Sequence, residues 1–143
     1  MVKYSSTGAY KKAWGKPGTG KGDFSAPTGI VVNSRNEIVV VDKGGRIQKF
    51  TPDGAYIAEF GKPGTEEGEL NRPQGLALDA LGYYYVADTG NNRILKFSPE
   101  GKLVASLTGP VAGPVAVAVN DQGAVYIAEK NNHRIQEFQV PSR

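Results

Sequence analysis

Three groups of residues in this chain could do chemistry. The stretch Gly15-Lys16-Pro17-Gly18-Thr19-Gly20-Lys21-Gly22 nearly spells GxxxxGK[ST], the loop whose backbone N–H groups and lysine cradle a nucleotide's phosphates. Asp42, Asp88 and Glu129 recur along the chain, each followed four or five residues later by Arg46, Arg93 or Arg134. Converging carboxylates of that kind would bind a cation. His133 is the single histidine, an acid or base near neutral pH.

Each group also has a plainer reading. Gly22 stands where a hydroxyl residue would hold magnesium, and no helical periodicity follows to supply an N-terminus for the phosphate. A second copy of the loop, GKPGTEEGEL at 61–70, loses the lysine and turns acidic. The loop is therefore expected to be a glycine-rich crossing between structural units. An acid repeated in every unit is expected to accept backbone N–H bonds in its turn and to pair with its own arginine, within its unit or across to a neighbour. Asn91, Asn92, Asn131 and Asn132 are expected turn formers, because asparagine tolerates the left-handed conformation. One histidine cannot make a multi-histidine zinc set, and no nucleophile is placed beside it. With no cysteine, disulfides and thiol catalysis are excluded. No catalytic residue, cofactor or metal is expected.

The elements that would carry these residues come from a repeat. Pro27, Pro73 and Pro114 open similar stretches 46 and 41 residues apart. Blades of four-stranded propellers run about 40–50 residues. Within the first unit, Ile30 to Val32, Ile38 to Val41, Ile47 to Phe50 and Tyr56 to Phe60 alternate apolar residues at the strand period. Asn33-Ser34-Arg35-Asn36, Asp42-Lys43-Gly44-Gly45 and Thr51-Pro52-Asp53-Gly54 are turn signals between them. Four short strands joined by tight turns make one antiparallel blade. The predicted fold is all-β, a β-propeller with three blades' worth of strands in one domain over 1–143, in units of about 24–60, 70–107 and 111–138. Tyr83, Tyr84 and Tyr85 are expected to pack between blades.

The ends of the chain are complementary. STGAYKKAWGKPGTGKGDF at 6–24 aligns with PDGAYIAEFGKPGTEEGEL at 52–70, so Ala9 to Trp14 is a fourth strand without a blade. The last unit lacks its fourth strand. The expected tally is twelve strands, with Ala9, Tyr10 and Trp14 on the strand that closes a blade. Residues 1–4 align with the end of a third strand and duplicate 135–138, so they are expected to fray or pair elsewhere. Two chains would then close a six-bladed homodimer by strand exchange. The mid-blade start points to a piece of a longer array, an engineered half propeller or a natural half-size gene.

The composition agrees with a folded domain: 143 residues, 39% hydrophobic and 22% charged, with 19 glycines and 9 prolines for turns. No apolar run approaches the roughly 20 residues of a membrane span, and MVKYSSTGAYKKAW lacks a signal core. No membrane contact is expected, and the compartment cannot be read. The net charge of +3 is too mild to name a partner.

The second-strand turns read ADTGNNRILKFSPEGKL and AEKNNHRIQEFQV, preceded in the middle unit by PQGLALDALGYYYVAD. These stretches closely resemble the NHL repeat family. The first unit departs from it, since VDKGGRIQKF lacks the asparagines and is one residue shorter, and Glu129 replaces the aspartate in the third. The resemblance implies a propeller, usually of six blades, and a recognition scaffold, because most NHL domains bind proteins or RNA or serve as sensors. Related propellers include metal-dependent lyases and lactonases.

In a propeller the fourth-to-first loops share a face with the second-to-third turns. Here that face carries Lys16, Lys21, Lys43, Lys62, Arg72, Lys130 and His133, mixed with Asp23, Glu66, Glu67 and Glu69. The mixture argues against a nucleic-acid surface, which wants clustered cations. The candidate ligand residues are Lys43, Asn91, Asn92, Lys130 and His133. The expected function is a non-catalytic recognition scaffold that pairs with itself and takes a protein or peptide on this face. A metal-dependent hydrolase or lyase and an RNA-binding NHL domain are the alternatives.

Overall fold

Side-chain turns set where each strand ends. Asn33 Oδ1 accepts the N–H groups of Arg35 and Glu37, both at 3.0 Å. Asp79 does the same for Leu81 and Tyr83, and Asn120 for Gln122 and Ala124. A second turn repeats too: Ser5, Thr51 and Ser98 hydroxyls accept the N–H four residues on, at 3.0–3.1 Å. Such bonds offer the backbone an alternative to the ladder and so end it.

In the computed structural model, which describes residues 1–139, these turns separate thirteen strands. They are β1 (Val2–Tyr4), β2 (Tyr10–Ala13), β3 (Pro27–Val32), β4 (Ile38–Asp42), β5 (Arg46–Phe50), β6 (Tyr56–Phe60), β7 (Leu76–Leu78), β8 (Tyr84–Asp88), β9 (Arg93–Phe97), β10 (Leu103–Leu107), β11 (Pro114–Val119), β12 (Ala124–Glu129) and β13 (Arg134–Gln139). The named strands pair antiparallel with their sequence neighbours. Strands β3–β6 and β7–β10 form four-stranded blades, β11–β13 a three-stranded one, and β1–β2 a hairpin. The first strands, β3, β7 and β11, approach one another along the inner side.

The expected tally of twelve strands is corrected by β1. Residues 2–4 pair with β2 in the register Val2↔Ala13, Lys3↔Lys12, Tyr4↔Tyr10. The equivalent pairs of β5 and β6 are Gln48↔Glu59, Lys49↔Ala58 and Phe50↔Tyr56, with the irregularity at the same place. Met1 and Trp14 exchange N–H to carbonyl bonds at 2.7 and 2.8 Å, as a paired residue would. The hairpin is thus the third and fourth strands of a blade, not a lone fourth strand. A strand with an open edge takes whatever backbone lies within reach.

Apolar side chains cement one blade to the next. Val39, Val41 and Ile47 meet Leu76, Tyr84, Val86, Leu95 and Phe97. Ala77, Tyr85, Ala87 and Ile94 meet Val117, Val125 and Ile127. Both faces of the middle blade are therefore covered, which is why YYVAD and RILKF are buried at every position. Burial of each large side chain here contributes about 1.5–3 kcal/mol relative to exposure. Tyr84 and Tyr85 lie inside these seams, and burial raises the pKa of both phenols. Lys96, buried beneath Tyr83 and Tyr85, has its ammonium 4.7 and 5.5 Å from their ring centroids, and burial lowers its pKa.

The hairpin caps the first blade by the same device that joins the first to the second. A Cβ on Gly101 would lie 2.8 Å from the Phe60 ring, and one on Gly54 would lie 2.8 Å from Trp14. Each glycine lets an aromatic side chain of the preceding unit lie flat on its turn. Trp14 also packs against Phe50, the rings tilted by 56° with centroids 6.2 Å apart.

Candidate functional site

The repeated acids are clamps for the loop that enters each blade. Asp42 Oδ2 accepts the N–H of Ser25, Asp88 Oδ1 that of Asn71, and Glu129 Oε1 that of Ala112, at 2.7–2.9 Å. These three residues occupy one position of the repeat. The arginines complete the clamp two residues upstream: Arg46 donates to the carbonyl of Asp23, Arg93 to that of Glu69 and Arg134 to that of Pro110. Arg93 and Arg134 also ion-pair with Asp88 and Glu129 at 2.8 and 3.1 Å.

The first unit differs from expectation. Arg46 pairs with Glu59 at 3.6 Å rather than with Asp42. The turn is one residue shorter there, and the N–H groups of Ser25, Ala26 and Gly44 already bond the Asp42 carboxylate. All three acids are buried. For Glu129, burial pushes the pKa up, but bonds from Arg134, the Ala112 N–H, Gln136 and Asn132 outweigh it and hold the carboxyl at about 2. Carboxylates committed this way build the blade. Among the described residues, no three His, Asp or Glu side chains gather as a metal-holding group.

The glycine-rich stretch is a closed crossing loop. Gly18 N–H bonds the Phe24 carbonyl and Phe24 N–H the Lys16 carbonyl, giving the bridge Pro17↔Phe24. The acidic copy makes the matching bridge Pro63↔Leu70.

The candidate ligand residues divide. Lys43, Asn92 and Lys130 surround one cleft of about 370 Å³ on the loop face, together with Arg72, Gln74 and Thr89. Lys43 comes from the β4–β5 turn, Arg72 from the loop into β7, and Lys130 from the β12–β13 turn. Asn91 is not part of the cleft: its amide donates to the Gly64 carbonyl and to Asp88 at 3.0 and 2.9 Å. His133 lies outside it too, exposed beside Val115, Ala128 and Ile135 on the outer face of the last blade. With φ of 50° it fills the left-handed turn position that Asn92 fills at 53° and Gly45 at 93°.

Pattern reading passed over Gln74 and Thr89, and it placed Arg72 on this face without taking it as a candidate ligand residue. A signal existed. Arg72 precedes the unit's proline where Ala26 and Gly113 stand in the other units, so its charge is peculiar to one blade. Of the closing strand, Ala9 sits in the hairpin turn and Tyr10 packs edge-on against Tyr4 at 6.1 Å, while Trp14 covers Phe50.

Sheets stacked through shared seams, with first strands converging and one loop face open, define a β-propeller-type repeat protein. The NHL repeat model matches residues 70–97 and 112–138, so these two units are NHL repeats. No curated protein sequence matches the chain. Among solved structures, it is similar to catalytically inactive virginiamycin B lyase from Staphylococcus aureus with quinupristin, at 20% identity and TM-score 0.68. That match covers 99% of this chain and 49% of the lyase. A streptogramin B lyase gives 19% identity and TM-score 0.67, over 99% of this chain and 48% of that one. The WD40 propeller domain of Doa1 gives 14% and 0.65, over 79% and 36%. The chain spans about half the length of the lyases, and at these identities the likeness is one of fold.

Proposed function

We propose that the chain is a non-catalytic recognition scaffold whose half propeller is completed by a second copy of itself, giving six blades with two-fold symmetry. One observation carries the reading. The middle blade buries Ala77, Tyr85, Ala87 and Ile94 against its neighbour, at 8, 0, 0 and 0% exposure. The last blade carries the same four residue types at the same repeat positions, Ala118, Tyr126, Ala128 and Ile135. Among the described residues no blade covers them there, and Ile135 is 68% exposed. At the other end, Ile30 and Val32 are 51 and 52% exposed because the hairpin supplies only two strands over the first blade. The two ends are halves of one seam, the arrangement that a two-fold pair of chains satisfies.

Strand β13 also presents the edge to which a fourth strand adds, and β2 is such a strand. In the closed ring the partner's third strand replaces β1 at the edge of β2, by strand exchange. Sedimentation velocity tests this. The expected mass is twice 15.2 kDa at micromolar concentration, and a single-chain mass up to about 100 µM, where Kd would imply only about −5.5 kcal/mol, overturns it.

The recognition reading is supported by a loop-face cleft lined with cations and amides rather than carboxylates. The hydrolase or lyase alternative predicts bound metal by elemental analysis and turnover of lactones or esters.

A further inference from the structure

We propose that the loop-face cleft binds the side-chain carboxylates of an acidic peptide segment. This deepens the recognition reading and rests on it.

Two sets of loop-face cations stand apart. Arg46, Arg93, Arg134 and Lys62 are paired with acids. Lys43, Arg72 and Lys130 line the cleft, and their side chains have no hydrogen-bond or ion-pair partner among the described residues. Most of the neighbouring acids are committed elsewhere. Asp42, Asp88 and Glu129 serve the clamps, Glu69 pairs with Lys62, Asp23 accepts the Gly20 N–H, and Glu67 bonds Ser106. Glu66 lies outside the lining of the cleft. Among the described residues no carboxylate lines the cleft. Three like charges from three loops line one cleft without an ion-pair partner within it, which an incoming anion would supply.

Arg72 supplies an independent observation. Its φ is 48°, in the left-handed region that favours glycine. The same repeat position in the last blade is Gly113, with φ of 60°. Glycine serves this backbone better, so the arginine is present against local preference. Strain held at one site in this way points to a use for the side chain.

The lining also selects among anions. No aromatic side chain borders the cleft, so it offers no platform on which nucleic-acid bases could stack. Its volume of about 370 Å³ exceeds what a single small oxyanion fills. Asn92 Oδ1 accepts the Gly113 N–H at 2.8 Å, which leaves its Nδ2, like the Gln74 amide, free to bond peptide backbone.

The test uses the full chain and fluorescein-labelled hexaglutamate, followed by anisotropy. Hexaglutamate should bind and hexaglutamine should not. Lys43→Ala and Lys130→Ala should each weaken binding about fivefold, as expected for one exposed charge pair, and added salt should weaken it further. Arg72→Gly should weaken binding by a similar factor while leaving the urea midpoint unchanged or raised, which a merely structural arginine would not do. Equal binding of hexaglutamine, or an Arg72→Gly protein that binds as before, overturns the proposal. Hexauridylate binding more tightly than hexaglutamate, or inorganic phosphate displacing the peptide at equal concentration, overturns the peptide assignment. All three cations belong to one chain. Peptide binding by a protein that sediments as a single chain would sink ring closure and spare the site, and a dimer that ignores the peptide would sink the site alone.

Discussion

Ile94 and Ile135 are the same residue at the same repeat position in two settings, and truncating each in turn separates the fold from its closure. Ile94 is fully buried between the second and third blades, whereas Ile135 is 68% exposed. Truncating a buried isoleucine to alanine costs about 2–5 kcal/mol, from lost transfer energy and the cavity left behind. Ile94→Ala should therefore lower single-chain stability by about 3 kcal/mol. Ile135→Ala should change it by no more than about 0.5 kcal/mol, as for a surface substitution. In a two-fold ring, however, each of two seams buries one Ile135. The loss then doubles, to about 6 kcal/mol of association, or a Kd raised roughly 10⁴-fold. Urea denaturation at nanomolar concentration reads the first quantity, and sedimentation across a concentration series reads the second. An Ile135→Ala protein that dimerises like the parent would refute the argument. So would equal destabilisation of the single chain by the two substitutions, because it would mean that Ile135 is already covered.

Three further outcomes follow from the same geometry. A protein beginning at Ser5, after an initiator methionine, should dimerise more tightly by sedimentation, because the three-residue β1 no longer competes for the edge of β2. Gly101→Ala combines φ of 90° with a Cβ 2.8 Å from Phe60, and by urea denaturation should lower the unfolding free energy by about 1–3 kcal/mol more than Gly123→Ala. The latter shares the positive φ, at 84°, but meets nothing within 4 Å. The Glu129 carboxyl is held at about 2 in the fold against an ordinary 4.5, so its stabilisation is present above about pH 4.5 and is lost as pH falls through 2. Urea midpoints measured from pH 5 to pH 2.5 should fall less steeply in Glu129→Gln than in the parent.

The blade architecture was legible because its determinants are local and repeated. Asn33, Asp79 and Asn120 each bond the N–H two and four residues on, so a turn read from three residues is the turn that forms. The clamp was partly legible: acid and arginine are close in sequence in every unit, but the loop they hold lies 17 residues upstream of the acid. The pairing of Arg46 with Glu59 depends on a one-residue shortening whose effect is three-dimensional. The pairing of β1 was missed for another reason. Residues 2–4 and 135–138 have equal claims to one strand position by pattern, and proximity along the chain decides between them. The cleft was half legible. Lys43, Arg72, Asn92 and Lys130 share a face because turns and crossing loops point one way, but nothing in a linear reading brings Gln74 and Thr89 between them.

The division of labour within the repeat follows from where the units agree. Positions that build the blade carry equivalent residues in each unit: Asp42, Asp88 and Glu129; Arg46, Arg93 and Arg134; Asn33, Asp79 and Asn120. Each faces the same backbone groups in its own blade, so each copy is held to the same chemistry. The cleft is drawn from positions where the units disagree: Lys43, Thr89 and Lys130; Ala26, Arg72 and Gly113; Thr28, Gln74 and Val115. A repeat with identical units would present the same group from every blade. It could then recognise only a ligand sharing the ring's symmetry. Divergence at the loop-face positions breaks that constraint without disturbing the clamps, because the two sets share no hydrogen bond between side chains. The acids that first suggest a metal site therefore build the blades, and the unpaired cations beside them are the residues that the proposed recognition would use.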